Sequence, residues 1–441
     1  MKNVKKTDPQ LFKFIQEEAR RQKDGLEMIP SENYTSASVR ECNGSILTNK
    51  YSEGYPKKRY YGGNEYIDEI ELLAQERAKK LFGVVSANVQ PYSGSPANFA
   101  VYVAVCNPRD TVTGLNLPDG GHLTHGWKAS ATAKFFNSVP YHVKPNGRVD
   151  IDEVWKIAKK EKPKLIWMGA TAYMFEYEFD KFAEIADSIG AYLAADIAHV
   201  AGLVVAGEHM SPIPYAHIVT TTTHKTLRGP RGGMIMVTPK GLKKDPELPV
   251  KIDKAVFPGL QGGPHNHQTA GIATALHEAS KPAFKKYGTQ IVKNAKALAD
   301  TLMNGGVKLV GDGTENHLLL IDLTKQFGPG GGAFVEDAMG VAGITLNKNT
   351  IPAEPMSPFY PSGIRLGTPA LTTRGMKEKD MVKVGKWLIR VIDAIEGYKM
   401  PTDKEERSAL IKKFRKEVVK NKELLTIQKE IKKFCVKFPL P

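Results

Sequence analysis

The chain has 441 residues, 41% of them hydrophobic and 25% charged, a composition that supplies cores for two or three domains and excludes disorder as its main theme. Its net charge of +15 favours anionic ligands, whether phosphorylated cofactors, polycarboxylates or nucleic acid, without choosing among them. Three widely spaced cysteines, Cys42, Cys106 and Cys435, exclude a disulfide framework or a cysteine zinc site and read as small buried hydrophobes.

The start of the chain, Met1 to Thr7, is lysine-rich but leads into no apolar segment, so no secretory signal is expected. The most apolar run, Ala97 to Val105, falls far short of the roughly 20 residues that span a bilayer, and a cytoplasmic protein is expected. Asp8-Pro9 opens a helix, with the carboxylate as cap and proline in the first turn. Leu11, Phe12 and Ile15 form its apolar face, and it ends near Gly25 as an arm. From Asn49 to Gly63 four tyrosines, three glycines and four basic residues show neither helical nor strand periodicity. A solvated loop would leave the tyrosines exposed at a cost, so this segment reads as a binding or interface loop.

Ile67, Ile70, Leu73, Ala74, Arg77, Ala78 and Leu81 mark an amphipathic helix over 66–82, stopped by Gly83. A strand from Ala87 to Gln90 then leads through Ser93, Gly94 and Ser95 into an apolar helix over 96–106. Its start suits a phosphate, because free amides and hydroxyls all donate there, although an ordinary N-cap has the same look. After a strand at 111–114, Gly120-Gly-His-Leu-Thr-His-Gly126 carries two histidines three apart. No carboxylate or cysteine nearby completes a metal site, so no metal is expected, and His122 reads as a ring that stacks on or bonds a ligand. Strand 165–168, helix 181–189 and strand 191–195 then alternate as in a mostly parallel sheet. Asp196 ends that last strand. Half buried, it needs a cationic or protonated partner, either His199 nearby or a protonated heterocycle.

The β-branched run Ile218 to Thr223 reads as the next strand and delivers His224 and Lys225 to a turn made by Gly229, Pro230, Gly232 and Gly233. Ligands collect at that edge of an α/β sheet. On this stretch alone a turn lysine and a covalent nucleophile fit equally. A second glycine-rich turn, Pro258 to Pro264, precedes a helix over 267–280. Beyond it, strands at 307–310 and 318–323 with helices at 333–340 and 376–397 form a smaller α/β domain. There Arg365 lies in an apolar run between glycines, where arginine grips a carboxylate or phosphate or forms an interdomain ion pair. Gly328 to Gly332 lacks the lysine of a phosphate loop and reads as a flexible connection. The tail from Thr402 has twelve Lys/Arg against six Asp/Glu on the helical pattern Leu410, Ile411, Phe414, Val418, a solvated helix face.

A lysine nucleophile, an aspartate one strand away, a Ser-Gly helix start, a stacking histidine and an arginine for a carboxylate together make up a pyridoxal phosphate site acting on an amino acid. The expected organisation is an N-terminal arm (1–50), a large cofactor-binding domain (51–281) and a small C-terminal domain (282–441).

The sequence also resembles the serine hydroxymethyltransferase family from about Leu26 to Tyr398. The blocks are Ser31 to Tyr34, Leu47 to Pro56, Lys58 to Gly63, Gly120 to Gly126, Ala198 to Leu203, Val219 to Gly233 and Gly363 to Pro369. The resemblance implies an α/β fold of the type I pyridoxal phosphate transferases, with a mostly parallel mixed sheet in the large domain. It implies a homodimer with shared active sites, or a tetramer. The implied reaction moves the hydroxymethyl carbon of serine to tetrahydrofolate through a pyridoxal phosphate aldimine, giving glycine and 5,10-methylenetetrahydrofolate in one-carbon metabolism. Lys225 would carry the cofactor, Asp196 would face its ring nitrogen and His122 would stack on it. His224 would flank the lysine, and Thr171 and His199 would touch the cofactor. Ser93, Gly94 and Ser95 would hold the phosphate with Gly262 and Gly263 of the other subunit. Ser31 and Arg365 would hold the substrate carboxylate, and Glu53 would handle the proton of the serine hydroxyl. Tyr51, Tyr60 and Tyr61 would line the site across the dimer, with Tyr51 at the cofactor. Folate would lie against Leu117, Gly121, Leu123, Asn349, Ser357, Pro358 and Phe359. Pro96 and Asp119 replace residues the family often has as glutamine and histidine, and Thr171 replaces serine while keeping the hydroxyl. A folate-independent threonine or β-hydroxy amino acid aldolase would share the lysine and aspartate. An RNA-binding role would suit the basic charge, but no nucleic-acid module is recognisable and none is expected.

Overall fold

A computed structural model describes residues 1–441. The chain gathers into two compact units. One comprises Met1–Glu32, Lys293–Gly313 and Leu319–Pro441, the other Asn33–Val292 and Thr314–Leu318.

The second of these is built on a seven-stranded sheet. Its spatial order is Ser86–Asn88, Gly233–Val237, Ile218–Thr222, Tyr192–Asp196, Leu165–Met168, Thr111–Thr113, Asn137–Ser138. From Ile218–Thr222 outward the strands are parallel, and Gly233–Val237 runs antiparallel to both its neighbours. The central strands read IVTTT, YLAAD and LIWM, continuous apolar or β-branched runs, as a sheet covered on both faces requires. Pairing Ala194 with Ile218 and Asp196 with Thr220 brings Asp196 and the turn that follows Thr222 to the same edge. Helix Gly94–Val105 packs its Ala97, Ala100, Val101 and Tyr102 into a core with Val112, Leu165, Trp167, Ile218 and Ile235.

The Tyr-rich segment is more ordered than its composition suggests. Gly54–Tyr55 and Lys58–Arg59 pair as a two-stranded hairpin. Arg59 clasps it to helix Glu65–Phe82, with Nε 2.9 Å from Asp68 Oδ1 and Nη2 2.7 Å from Glu71 Oε2, while Nη1 donates to the Ser52 and Gly54 carbonyls.

In the other unit, helix Pro9–Asp24 begins as expected, with Leu11 N donating to Asp8 Oδ1 at 2.9 Å. A three-stranded sheet in the order Leu318–Asp322, Gly363–Gly367, Asn347–Asn349 carries Arg365 in its middle strand. The expected strand over 307–310 does not form. Gly306 and Gly311 turn the chain at φ 79° and 74°, and only Leu309 makes a bridge, to Ile321. The basic tail folds into helices Lys404–Val418 and Lys422–Cys435. It is more than a solvated face, since Ile411, Phe414, Val418, Leu424, Ile427, Ile431 and Phe434 enter the core of this unit beside Phe334 and Trp387. Of the cysteines, only Cys435 is fully buried; Cys42 and Cys106 are half-buried.

Candidate active site

The sheet edge beyond Asp196 and Thr222 collects most of the expected residues of this unit. Asn33 Nδ2 donates to the Lys225 carbonyl at 2.9 Å, and Thr226 Oγ1 to the His199 carbonyl at 3.1 Å, so the lysine turn is bonded on both sides. Lys225 is buried, at 9% exposure. Helix Gly94–Val105 starts against this turn: a Cβ on Gly94 would lie 2.7 Å from Thr222 Cγ2. Ser93, at its N-cap, makes no side-chain cap bond, which leaves the first amides of the helix as donors.

Asp196 is the electrostatic centre. Its Oδ2 accepts from Asn98 Nδ2 at 2.8 Å and from His125 Nε2 at 3.1 Å, and its Oδ1 from the Ala198 amide at 3.0 Å. Burial alone would push this carboxyl up, but the hydrogen bond from His125, with the Lys225 charge nearby, outweighs it and holds Asp196 well below the usual carboxylate range. The partner within the protein is therefore His125 and not His199, whose Nδ1 lies 3.4 Å from His317 Nε2. The sequence placed no carboxylate to complete a metal site with the two histidines, but the fold brings Asp196 to them across the sheet, and ligand atoms of His122, His125 and Asp196 lie within 4.8 Å of one another. Amide and imidazole N–H groups aimed at Asp196 Oδ2 take up the lone pairs a cation would need there.

His122 Nδ1 lies 2.6 Å from Thr124 Oγ1 and accepts from the Thr124 amide at 3.3 Å. Burial, with the nearby His125 and Lys225, pushes its pKa down to about 4, so the ring is neutral at pH 7. His224 is pushed down to about 3 by burial and by Arg231 and Lys225. Thr171 Oγ1 is 3.1 Å from both the Gly120 and Gly121 carbonyls, which fastens the His122 loop to the strand beside Asp196.

A second cluster in the same unit holds Tyr51, Glu53, Tyr60, Tyr61, Gly262 and Gly263. Tyr51 OH donates to Glu53 Oε1 at 3.1 Å, and Tyr51 meets Tyr61 edge-on at 5.2 Å. The Gly263 carbonyl accepts from Tyr92 OH at 2.8 Å, and Tyr92 stacks on His265 at 4.2 Å. Tyr51, Tyr60 and Tyr61 are 55%, 78% and 49% exposed. Leu117, Gly121 and Leu123 follow the strand Thr111–Thr113, with Leu123 exposed.

Ser31, Arg365, Asn349 and the segment Ser357, Pro358, Phe359 belong to the other unit. Arg365 Nε donates to Asn347 Oδ1 at 3.1 Å across the strand pair, and burial pushes the guanidinium down to about 10, which leaves it charged. Phe359 is fully exposed at 81%.

His125, Asn98 and Thr124 were missed as site residues. His125 stood in the quoted Gly-His-Leu-Thr-His-Gly block, whereas Asn98 carried no signal beyond its place on the helix after Ser93. The edge fits pyridoxal phosphate. Thr222 Oγ1 and His224 Nδ1 are buried with no partner within the protein, the helix start is uncapped, and a carboxylate held ionised stands beside a buried lysine.

The family model described as serine hydroxymethyltransferase matches residues 4–388. The chain is 54% identical over 390 residues to the serine hydroxymethyltransferase of Acidothermus cellulolyticus, covering 88% of this chain and 89% of that one. It is 54% identical over 409 residues to the Campylobacter jejuni enzyme of that name, covering 92% and 97%, and 51% identical over 408 residues to that of Phenylobacterium zucineum, covering 92% and 93%. The chain belongs to the serine hydroxymethyltransferase family, with the type I fold of pyridoxal phosphate enzymes.

Proposed function

We propose that the chain catalyses the reversible transfer of the hydroxymethyl carbon of serine to tetrahydrofolate, giving glycine and 5,10-methylenetetrahydrofolate. The observation that most supports this reading is an ionised Asp196, bonded by His125 and Asn98, at the same sheet edge as Lys225. When bound, pyridoxal phosphate supplies a protonated ring that accepts the electron pair released at the substrate α-carbon.

In this reading Lys225 would supply the amine that anchors the cofactor. Asp196, kept charged, would hold a proton on the cofactor's ring nitrogen. His122 and His224 are neutral, so they add no positive charge that would disfavour that proton; His122 offers a flat face to the cofactor, which Thr171 and His199 would also touch. Ser93, Gly94 and Ser95 receive the phosphate at a helix N-terminus. Arg365, with Ser31, grips the substrate carboxylate bidentately. Glu53 exchanges the proton of the serine hydroxyl as the Cα–Cβ bond breaks, and Tyr51 OH, bonded to it, orients the carboxyl. Leu117, Gly121, Leu123, Asn349 and Ser357 to Phe359 line the folate.

The working molecule is a homodimer in which Tyr51, Glu53, Tyr60, Tyr61, Gly262 and Gly263 complete the site of the second copy. Exposure of Ile46, Tyr51, Tyr60, Tyr61, Tyr66 and Leu260 on one unit supports this, since aromatics left in water mark interfaces. No helix is long and apolar enough to cross a membrane, and we place the enzyme in the cytoplasm.

The test is serine cleavage by the purified protein with and without tetrahydrofolate, alongside its visible spectrum. Glycine release that needs folate, from a protein with a visible cofactor band abolished in Lys225→Ala, is the expected result. Equal cleavage of β-hydroxy amino acids without folate would make the chain an aldolase, and a colourless protein would sink the cofactor assignment.

A further inference from the structure

The connection from Thr350 to Ser362 joins the paired strands Asn347–Asn349 and Gly363–Gly367, so the tip assigned to folate, Ser357 to Phe359, hangs from the same hairpin as Asn349 and Arg365. No helix or strand forms within it. Pro352, Pro355, Pro358 and Pro361 recur at every third position and bring no N–H, while Ala353 turns the chain at φ 56°, a conformation unfavourable to a residue with a Cβ. Such a stretch holds one shape only if the amides it does have find acceptors.

Three of those amides converge on one side chain. Glu354 Oε2 accepts from the Ile351 amide at 3.3 Å and the Ser362 amide at 2.8 Å, and Oε1 accepts from the Met356 amide at 3.0 Å and from Ser362 Oγ at 2.6 Å. Both ends of the connection are thereby tied across its base. The tip stays outside the clamp, with Ser357, Pro358 and Phe359 exposed and the Tyr360 amide bonded back to the Ser357 carbonyl at 2.9 Å.

The base is anchored in turn. The hydroxyl of Ser362, a fully buried residue, accepts from the Gly330 amide at 3.0 Å, and the Gly332 amide donates to the Pro361 carbonyl at 3.0 Å. Gly330 stands at φ 87°, and a Cβ on Gly332 would lie 2.3 Å from the Gly363 carbonyl oxygen. The run Gly328 to Gly332, expected as a flexible connection, is instead a socket for this loop, and its glycines permit the close approach.

We propose that Glu354 is a positioning residue for folate: with Ser362 and Gly330 it holds the 351–362 loop in the one shape that presents Ser357, Pro358 and Phe359 to the ligand. Its oxygens are taken up by its own loop, so it acts through those three residues and takes no part in the bond changes. The inference rests on the proposed place of the tip against folate. A loop released from the clamp spends part of its time in other shapes. The apparent affinity for folate then falls by the seated fraction, while the chemistry of the seated state is unchanged.

The experiment compares two variants of the holoenzyme. Glu354→Ala removes all four bonds, whereas Ser362→Ala removes only those of the hydroxyl and disturbs folding least. Ser362→Ala raises the tetrahydrofolate concentration for half-maximal serine cleavage about tenfold, as for a loop seated about a tenth of the time, and Glu354→Ala raises it at least as far. In both, kcat at saturating folate, the visible band and the folate-independent cleavage of threonine stay within about twofold of the parent. The double variant loses less than the product of the two single losses, because both act on one clamp. A tetrahydrofolate requirement within about twofold of the parent in both variants overturns the proposal, and so does threonine cleavage lost in the same proportion, which marks a general support of the fold. Failure of the folate reading shows in the parent itself, as serine cleavage indifferent to tetrahydrofolate, and it leaves the loop without the ligand named for it.

Discussion

Two buried carboxyls show how their donors decide their charge. Asp196 receives three N–H groups and stays ionised. Glu27, at 4% exposure, receives the Ile29 amide at 3.2 Å and a longer bond from Arg21 Nη1 at 3.5 Å. Burial, followed by the charge of Glu32, pushes Glu27 up to about 8. The raised value means that the folded state holds a proton the unfolded chain releases from about pH 4.5 upward, so stability falls with pH between about 4.5 and 8. Glu27→Gln keeps an acceptor for the Ile29 amide but removes that slope. Its melting temperature should match the parent near pH 5 and exceed it at pH 9, by an effect on the order of 2 kcal/mol. A constant difference across the range would refute the proton on Glu27. Asp196 has the opposite sign, because its lowered value gives stabilisation that is lost on acidification through the ordinary carboxyl range. Neither charge state was legible in the sequence. That Asp196 needed a partner was readable from one carboxylate ending an apolar strand, but His125 lies 71 residues earlier, and only the path of the chain across the sheet joins them.

Among the elements, those with a long single period were readable, and those defined by one pair of bonds were not. The helix Glu65–Phe82 announced itself by its apolar spacing, and Gly83, at φ 72°, ends it where expected. The hairpin at Gly54–Tyr55 and Lys58–Arg59 could not be read, since two-residue strands have no period to show. What holds it is Arg59, 3% exposed in its side chain, between Asp68 and Glu71 at 15% and 2%. Truncating one partner of such a buried set leaves the others charged and dry. Arg59→Ala should therefore cost about 3–5 kcal/mol in urea unfolding and open the 51–61 segment to protease, and Arg59→Met with Glu71→Met should recover most of it. A loss under 1 kcal/mol in the single variant would mean that water replaces the clasp. The helix Lys422–Cys435 was missed for another reason: Leu424, Ile427, Ile431 and Phe434 do recur at helical spacing, but the surrounding lysines drew the reading to charge.

For the whole molecule, the decisive feature is that the candidate site residues of one unit fall into two clusters. Lys225, Asp196, His122 and Ser93 sit at the sheet edge, whereas Glu53 bonds Tyr51 beside Gly262 and Gly263 among exposed tyrosines. If each cluster serves a different copy of the enzyme, a chain lacking Lys225 can still lend its Glu53, and a chain lacking Glu53 can still use its Lys225. Symmetric dimers make this countable. Mixing equal amounts of Lys225→Ala and Glu53→Gln chains under conditions that exchange subunits gives mixed pairs in about half of the dimers, and each such pair has one site with both residues intact and one with neither. Folate-dependent serine cleavage should therefore rise from the low level of either variant alone to about one quarter of the parent, with no change in the substrate concentration for half-maximal rate. A second mixture, of Lys225→Ala with Asp196→Asn, must gain nothing through the shared site if both residues serve the same copy, because one site of the mixed pair then lacks Lys225 and the other lacks Asp196. No recovery in the first mixture would place Glu53 in the same site as its own Lys225 and remove the exposed tyrosines from the reaction, and recovery in the control would instead separate Lys225 from Asp196.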